Sequence, residues 1–411
     1  MVATSWKGEY MKKQLTGQLS LFEEPINFTD TGVHDKKRLA ELQSLPLERK
    51  IMITQTRIIE WYTRWKGQVY VSFSGGKDST VLLHIAKQCF PDIEAVFINT
   101  GLEYPEIQTF AKSFENVTVV RPEMSFVEVI KHYGYPMISK EIAECLYDGK
   151  LSLLRGGNAY SYRLKKLRGE AVDKSGNPSI YNCPKYEPLL HTDFYIGNRC
   201  CGVMKKAPAK NFEKRTEKKA IIATMAQESK IRRQAWLTHG CNAFTAERPT
   251  SQPMSFWTEQ DVLEYIRRYN LPVAPVYGDV VPTQNGCKLC TTGCERTGCI
   301  FCGFGAHLDN DTRFIRLKQT HPKQYDYCIN GGEYNWIGYH KKNVKWARVE
   351  FVKDDGSPMT QDEIESFVES HKDDPTFAFE KVWMPNKQGL GMGHVFDEIN
   401  KIYGENFIRY K

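Results

Sequence analysis

The sequence predicts an α/β fold with a doubly wound, mainly parallel sheet, and three observations support this prediction. A β-branched apolar run at residues 69–73 leads through a glycine-rich turn into a helical pattern that ends near Cys89. Two further apolar runs, 93–99 and 117–120, flank a second helical pattern at 105–114. Strands that alternate with helices in this way pair in parallel, because each crossover helix returns the chain to the same edge of the sheet.

Length and composition indicate a globular protein of more than one domain. The chain has 411 residues, of which 41% are hydrophobic and 26% are charged, and a domain spans about 100–200 residues. No apolar run reaches the roughly 18 residues of a membrane helix, and the first residues lack the apolar core of a signal peptide. We therefore expect a cytoplasmic protein. The net charge of +7 permits an anionic partner without requiring one.

Changes of pattern along the chain predict four segments. They are a flexible polar arm at 1–38, the α/β domain at 39–280, a cysteine-rich segment at 281–330 and a small α+β appendage at 331–411. An irregular basic insertion at about 149–188 interrupts the α/β domain. In the appendage we expect a strand at 344–352 and helices near 361–371 and 394–403.

The turn between the first strand and its helix has the composition of a phosphate-binding loop. Its residues are Ser74, Gly75, Gly76, Lys77, Asp78, Ser79 and Thr80. The glycines permit a positive φ and let N–H groups point into one concavity, to which the helix start adds partial positive charge. Lys77 supplies a mobile cation, and Asp78 is suited to hold Mg²⁺ against phosphates. The spacing is not that of a Walker A loop. The alternative is a tight strand–helix turn that Ser and Asp cap.

This loop resembles the PP-loop of the ATP pyrophosphatase (adenine nucleotide α-hydrolase) superfamily. The resemblance implies that ATP is cleaved to AMP and pyrophosphate, which adenylates an acceptor oxygen. Lys77 and the loop N–H groups would hold the β- and γ-phosphates, and Asp78 would position Mg²⁺.

Further segments resemble the phosphoadenylyl-sulfate (PAPS) reductase-like family within that superfamily. The segment from Asn99 through Thr100, Gly101 and Glu103 resembles the family's DTGLxFPET motif, with Asn99 in place of Asp. Cys200 begins a segment that matches the CCxxxKxxP pattern of cluster-bearing reductases. Residues 257–262 with the Leu-Pro at 271–272 resemble the family's WTxxDVWxYI…LP helix.

An arginine-containing segment at 228–234 resembles the nucleotide segment of the same enzymes. By this resemblance, Arg232 or Arg233 would stabilise charge on the α-phosphate, and the segment that begins at Asn99 would contact the nucleotide.

The sequence departs from the reductases at their C-terminal nucleophile. Those enzymes form a thiosulfonate on a cysteine in a Glu-Cys-Gly-type motif, whereas the last cysteine here is Cys328, followed by Ile-Asn. The preferred hypothesis is therefore adenylation of a nucleic-acid oxygen followed by sulfur insertion, as in DNA phosphorothioation or RNA thiolation. One alternative is an adenylyl- or phosphoadenylyl-sulfate reductase. The other is a non-catalytic nucleotide-binding accessory protein on DNA or a sliding clamp.

The cysteine pattern indicates metal or cluster ligation rather than disulfides, since the protein is expected in a reducing compartment. Resemblance to the cluster-bearing reductases implies a [4Fe–4S] cluster on Cys200, Cys201, Cys299 and Cys302. Three further cysteines are reserve candidates for cluster ligation, or for a second site or a sulfur relay: Cys287, Cys290 and Cys294. A Zn²⁺ ribbon would instead use the two CxxC pairs, Cys287, Cys290, Cys299 and Cys302. Unligated reduced thiols are the third alternative.

The segment from Arg296 to Cys302 resembles the RxGCxxC segment in the ATP-pyrophosphatase subunit of DNA phosphorothioation systems. This resemblance implies that a cysteine desulfurase donates the sulfur.

Two basic stretches and one short peptide suggest a nucleic-acid partner, DNA or tRNA. The first stretch mixes cations with aromatic rings: Arg155, Tyr160, Tyr162, Arg163, Lys165, Lys166 and Arg168. The second, at 205–219, holds seven cations against two glutamates. Either stretch is also typical of a solvated face.

A short peptide in the N-terminal arm suggests a second partner. It consists of Gln18, Leu19, Ser20, Leu21 and Phe22, and it resembles the QLxLF motif that docks bacterial replication proteins on the sliding clamp. The alternative is that this short match is fortuitous.

Overall fold

The protein is described by a computed structural model, which covers residues 34–156, 162–308 and 312–411. The clamp-like peptide at 18–22 and Tyr160 of the first basic stretch lie outside these residues. Within the part of the chain described, no helix is long and apolar enough to cross a membrane.

The helices, in chain order, are α1 (Lys36–Ser44), α2 (Leu47–Arg64), α3 (Lys77–Cys89), α4 (Pro105–Lys112), α5 (Phe126–Tyr133), α6 (Lys140–Leu154), α7 (Tyr162–Arg168), α8 (Ala207–Thr216), α9 (Lys230–His239), α10 (Glu259–Arg268), α11 (Arg313–Thr320), α12 (Pro322–Ile329), α13 (Gln361–His371) and α14 (Met392–Tyr403). A π-helical turn covers Gly202–Lys206, and 3₁₀ turns cover Pro184–His191, Ala226–Glu228 and Pro275–Tyr277.

The strands are β1 (Val69–Ser72), β2 (Ala95–Ile98), β3 (Val117–Val120), β4 (Met137–Ile138), β5 (Lys219–Ile221), β6 (Asn242–Ala243), β7 (Thr250–Ser251), β8 (Val280–Pro282), β9 (Leu289–Thr291), β10 (Gly303–Phe304), β11 (Glu333–Lys342), β12 (Lys345–Arg348) and β13 (Phe377–Met384).

The chain forms two compact units, each built from two separate stretches of sequence. The first comprises the described part of Met1–Arg121 together with Ala209–Thr297. The second comprises the described parts of Pro122–Pro208 and Gly298–Lys411. These units divide the chain differently from the four predicted segments.

The predicted cysteine-rich segment 281–330 is divided between the two units. Its first part, the β8–β9 hairpin, is held in the first unit because the Gln260 side chain bonds both the N–H and the C=O of Leu289. Its later part pairs in the second unit, where Gly303 lies opposite Met137 in the β10–β4 pair. The two parts of this segment therefore belong to different compact units.

A six-stranded sheet in the order β3-β2-β1-β5-β7-β6 forms the centre of the first unit. Its pairs are parallel except β6–β7 at one edge. From β1 the chain continues outward through β2 and β3 on one side, and β5 and β7 lie on the other. This arrangement confirms the predicted doubly wound, mainly parallel sheet, and it makes the end of β1 the topological switch point.

Large buried side chains hold the first unit's helices to its sheet. Trp61 on α2 and Trp257 before α10 are fully buried with Val71 and Phe97 of the sheet. The Trp257 indole N–H donates to the Thr54 hydroxyl at 2.9 Å. This packing places α2 and α10 against the core that supports the end of β1.

The second unit contains an antiparallel sheet in the order β12-β11-β13. This sheet and α13 and α14 confirm the α+β character expected at 331–411. The strand expected at 344–352 is shorter, Lys345–Arg348, because Asn343 turns the chain with φ +57°. The insertion predicted as irregular contains helix α7.

Candidate nucleotide site and cysteine cluster

The predicted phosphate loop lies at the carboxyl end of the central strand β1 and at the start of α3. Gly75 has φ +72°, and Gly76 is the N-cap residue of the helix. Ser79 donates its hydroxyl to the Gly76 carbonyl at 2.9 Å and accepts the Ser74 N–H at 3.2 Å. The Thr80 hydroxyl donates to the same carbonyl at 3.0 Å. The loop hydroxyls thus brace the turn at a helix N-terminus that favours anions.

Lys77 is nearly buried, with 3% of its surface exposed. Its Nζ lies 3.3 Å from Asp78 Oδ1 and 3.3 Å from Glu259 Oε1. Burial lowers the pKa of Lys77, but the two carboxylates outweigh burial and hold the pKa above its ordinary value. The loop therefore carries a fixed, fully charged ammonium group.

Asp78 provides the donor that a divalent cation would need. Its Oδ1 atom is buried and makes no hydrogen bond with the described residues, although the Lys77 ammonium lies 3.3 Å away. A buried carboxylate oxygen that makes no hydrogen bond is costly. Carboxylate oxygens are preferred ligands of Mg²⁺, so Asp78 has the chemistry to hold this cation against phosphate oxygens.

A pair of guanidinium groups lies close to the loop. Burial and the neighbouring charge of Arg296 lower the pKa of Arg232, while Asp78 opposes the shift. Glu228 accepts from Arg232 and lies 3.7 Å from Arg296 Nη1. Two cations against one carboxylate leave an excess positive charge that an anion would neutralise. Arg233, the alternative from the sequence, is exposed on α9.

Residues distant in the sequence complete the loop, and pattern alone did not reveal them. The Tyr277 hydroxyl accepts the Lys77 N–H at 3.2 Å and lies 2.6 Å from Thr297 Oγ1. A Cβ on Gly76 would lie 3.2 Å from that same hydroxyl. Glu259 was visible only within the segment 257–262 that resembles the family's helix, and Arg296 only as part of the RxGCxxC resemblance.

The predicted segment after β2 forms a tight turn that its own side chains close. Thr100 donates its N–H and its hydroxyl to the Glu103 carboxylate at 3.1 and 2.7 Å. Gly101 N–H donates to Asn99 Oδ1 at 3.1 Å. Because β2 runs parallel beside β1, this turn lies at the same sheet edge as the loop. The Glu103 carboxylate supports the turn's conformation.

We expect Gly75→Ala to lower the free energy of unfolding by more than the cost of placing alanine at a left-handed φ. A Cβ there would meet the Ile107 carbonyl and Cγ2 at 3.0 Å, in addition to its left-handed φ. Gly101→Ala is the matched control, since Gly101 has φ +75° and nothing within 4 Å. Chemical denaturation should show a loss of about 1–2 kcal/mol for Gly101→Ala and about 1–3 kcal/mol more for Gly75→Ala. Equal losses would contradict the crowding argument.

The second unit brings together the four cysteines of the predicted cluster set. The Cys200 thiol is hydrogen-bonded to Cys201, and the charges of Cys302 and Cys299 act on it. The Cys302 N–H donates to the Cys299 carbonyl at 3.1 Å, which closes the CxxC turn. The hydrogen bond between Cys200 and Cys201, together with burial, raises the pKa of Cys200.

Cys201 lies in a cationic environment. The hydrogen bond from Cys200, with help from Lys140, Lys205 and Lys206, lowers the pKa of Cys201 to about 5 although burial opposes it. Arg313 Nη1 donates to the Cys302 carbonyl at 3.0 Å. These cations would offset the negative charge that several thiolates accumulate.

The cysteines have the donor chemistry of a cluster without being arranged as a finished metal site. Among the described residues, no group of three or more His, Cys, Asp or Glu side chains is in position to hold a metal ion. Thiolates are the ligands of a [4Fe–4S] cluster, and the lysines beside Cys201 would offset part of their charge. The zinc-ribbon set would draw Cys287 and Cys290 from the first unit and Cys299 and Cys302 from the second.

The three reserve cysteines belong to the first unit. Cys287 is exposed, Cys290 is half-buried on β9, and Cys294 is buried. Cys328 on α12 is fully buried in the second unit, with its Sγ 3.5 Å from Met392 Sδ. Burial raises the pKa of the Cys328 thiol, so it does not supply an accessible thiolate.

Some of the cations in both predicted basic stretches form ion pairs with carboxylates. Arg163 pairs with Glu144 at 2.6 Å and Asp148 at 3.0 Å. Lys166 pairs with Glu141 at 2.7 Å. In the second stretch Lys218 pairs with Glu94 at 2.6 Å, while Lys205 and Lys206 lie beside Cys201. Much of this charge therefore serves the fold or the cysteines.

The family model of the phosphoadenosine phosphosulfate reductase domain matches residues 68–145 and 167–303, just over half of the chain. The chain belongs to this family. The matched residues include the predicted phosphate loop, the turn at Asn99, Arg232 and the four cysteines predicted to hold the cluster. Membership in the family indicates a sulfonucleotide-related or PP-loop enzyme.

Similar proteins include an uncharacterized protein of Methanocaldococcus jannaschii, 24% identical over 79% of this chain. The match spans 60% of that archaeal relative's length. An adenosine 5'-phosphosulfate reductase of Bacillus mycoides is 22% identical over 57% of this chain and 78% of its own length.

Among solved structures, a PAPS reductase from Candida auris in complex with phosphate aligns with a TM-score of 0.31 and 13% identity. The alignment covers 59% of this chain and 90% of that one.

Proposed function

We propose that the protein is an ATP pyrophosphatase that joins AMP to an acceptor oxygen, with release of pyrophosphate, in preparation for sulfur transfer. The observation that carries this proposal is the charged Lys77 at the start of α3. Asp78 and Glu259 hold it in place, and the Arg232–Arg296 pair lies close by. Such a concentration of fixed cations at a helix N-terminus suits a polyphosphate.

Each group at the loop has a distinct task in this proposal. Lys77 and the loop N–H groups would bind the β- and γ-phosphates, and Asp78 would hold Mg²⁺, which neutralises phosphate charge when bound. Arg232 would stabilise the charge that develops on the α-phosphate as pyrophosphate leaves. Tyr277 would position the Lys77 backbone through its hydroxyl.

The cysteine chemistry favours sulfur transfer over sulfonucleotide reduction. Reduction through a thiosulfonate needs an accessible thiolate, whereas the Cys328 thiol is buried. Cys200, Cys201, Cys299 and Cys302 would hold a [4Fe–4S] cluster, which when bound would accept or relay sulfur from a cysteine desulfurase. The acceptor we propose is a nucleic acid, DNA or RNA, in the cytoplasm.

The names of the Bacillus relatives support the second candidate, reduction of adenylyl- or phosphoadenylyl-sulfate. A direct comparison separates the two activities. Anaerobically purified protein is incubated with ATP and Mg²⁺, with and without duplex DNA or RNA, and pyrophosphate is measured. In parallel it receives each sulfonucleotide with reduced thioredoxin, and sulfite is measured.

We expect pyrophosphate release that nucleic acid stimulates, and no sulfite. Sulfite production would overturn the proposal in favour of the reductase. Nucleotide binding without either product would indicate a non-catalytic accessory protein.

A further inference from the structure

A two-stranded ribbon extends from the antiparallel sheet of the second unit. Strand β11 pairs with β13 only as far as His340, which lies opposite Phe377. The Lys341 N–H still donates to the Thr376 carbonyl, just before β13, at 2.7 Å. The remaining pairs of the ribbon join β11 to β12, with Lys341 opposite Trp346 and Lys342 opposite Lys345. We call residues 341–346 the hairpin tip.

The hairpin tip is strongly basic and exposed. Lys341, Lys342 and Lys345 are exposed, as is Val344 in the turn, which is 87% accessible. No Asp or Glu occurs between residues 333 and 350. Lys341 Nζ lies 6.0 Å from the Trp346 ring centroid, and none of the three lysines forms an ion pair with the described residues. The tip therefore presents cations that nothing described in the fold neutralises.

Two glutamates on α13 of the second unit are already paired with other lysines. On α13, Glu363 lies 2.8 Å from Lys353, and Glu365 lies 3.0 Å from Lys381. This pairing contrasts with the unpaired tip and distinguishes it from the basic stretches in which Arg163 and Lys166 are neutralised. The charge of the tip is therefore available to an external anion.

The base of the ribbon is anchored to the second unit. Arg348 on β12 donates to the Lys131 carbonyl at 2.9 Å and the His132 carbonyl at 3.3 Å, at the end of α5. A cation at a helix C-terminus is favourable for the helix dipole. The tip is thus presented from a fixed base rather than on a free loop.

We propose that the hairpin tip binds duplex DNA, with its lysines against the phosphates that border the major groove. This groove is about 12 Å wide and about 8.5 Å deep and admits a two-stranded ribbon. Three residues from Lys341 to the turn extend about 10 Å at roughly 3.4 Å each, which matches the depth. The inference rests on the proposed nucleic-acid acceptor and specifies its form, since the narrow major groove of an RNA duplex excludes such a ribbon.

The test compares two triple variants of the full chain by fluorescence anisotropy with a labelled DNA duplex, in the absence of ATP. One is Lys341→Gln/Lys342→Gln/Lys345→Gln. The control, Lys174→Gln/Lys323→Gln/Lys387→Gln, removes the same charge from exposed sites in the second unit. Circular dichroism and thermal melting establish that both are folded.

We expect the tip variant to bind DNA at least about tenfold more weakly near 100 mM salt, and its salt slope to fall by about 2–3. The control should match the unmodified chain. Equal affinity of the two variants, equal binding of an RNA duplex, or binding to anionic vesicles in place of DNA would each overturn the inference. The assay measures DNA binding and not pyrophosphate release. A negative result would therefore overturn the inference about the hairpin tip without bearing on the proposed reaction, which is tested separately.

Discussion

Lys77→Ala should lower pyrophosphate release from ATP by about 10²–10³-fold. The substitution removes the ammonium that Asp78 and Glu259 hold at the start of α3. Steady-state pyrophosphate assays over a range of ATP concentrations measure the effect.

Lys87→Ala is the matched control on the same helix. Lys87 lies in the last turn of α3, where it donates to the Glu115 carbonyl at 3.3 Å. Its removal should leave the rate within about twofold, since it is only partly buried and lies at the opposite end of the helix. If Lys77→Ala kept most of the rate while its fold was intact, the loop would not be the ATP site.

Cys302→Ser should remove at least about nine-tenths of the iron chromophore, because loss of a metal ligand or its support costs about 10–100-fold in affinity. A serine hydroxyl does not ionise near neutral pH and cannot replace the thiolate. Anaerobic absorbance near 400 nm, at roughly the position typical of iron–sulfur thiolate bonds, and iron analysis measure the result without reference to activity.

Cys287→Ser provides the control, because Cys287 is exposed and belongs to the first unit. This variant should retain its iron. Loss of metal in both variants, with zinc in the unmodified protein, would support the zinc ribbon and contradict the cluster.

The core of the fold was predictable because its signals are local. Short apolar runs such as 69–73, separated by helical patterns, predicted the first three strands, and the parallel pairing of β1, β2 and β3 confirms the prediction. The glycine-rich turn also predicted its own place at a strand–helix junction. The paired β-strands of the appendage were predicted less well, since Glu333 on β11 pairs with Met384, 51 residues later in the chain.

The candidate site residues also divide into those that local sequence predicted and those that only tertiary packing revealed. Lys77 and Asp78 were predicted because their loop is contiguous, whereas Glu259, Tyr277 and Arg296 join it through tertiary packing. Glu103 was predicted as a nucleotide contact from a motif, and the structure places its carboxylate on Thr100.

The sequence by itself determined the α/β class, the phosphate loop and the family, since each depends on order and spacing over a few neighbouring residues. Only the tertiary structure decided which charges remain available. It paired Arg163 and Lys166 with carboxylates and assigned the reserve cysteines to a different compact unit from Cys299 and Cys302. Among the described residues, it gave the lysines of the hairpin tip no carboxylate partner. Ion pairing falls off within a few ångströms, so it depends on which distant segments the fold brings together.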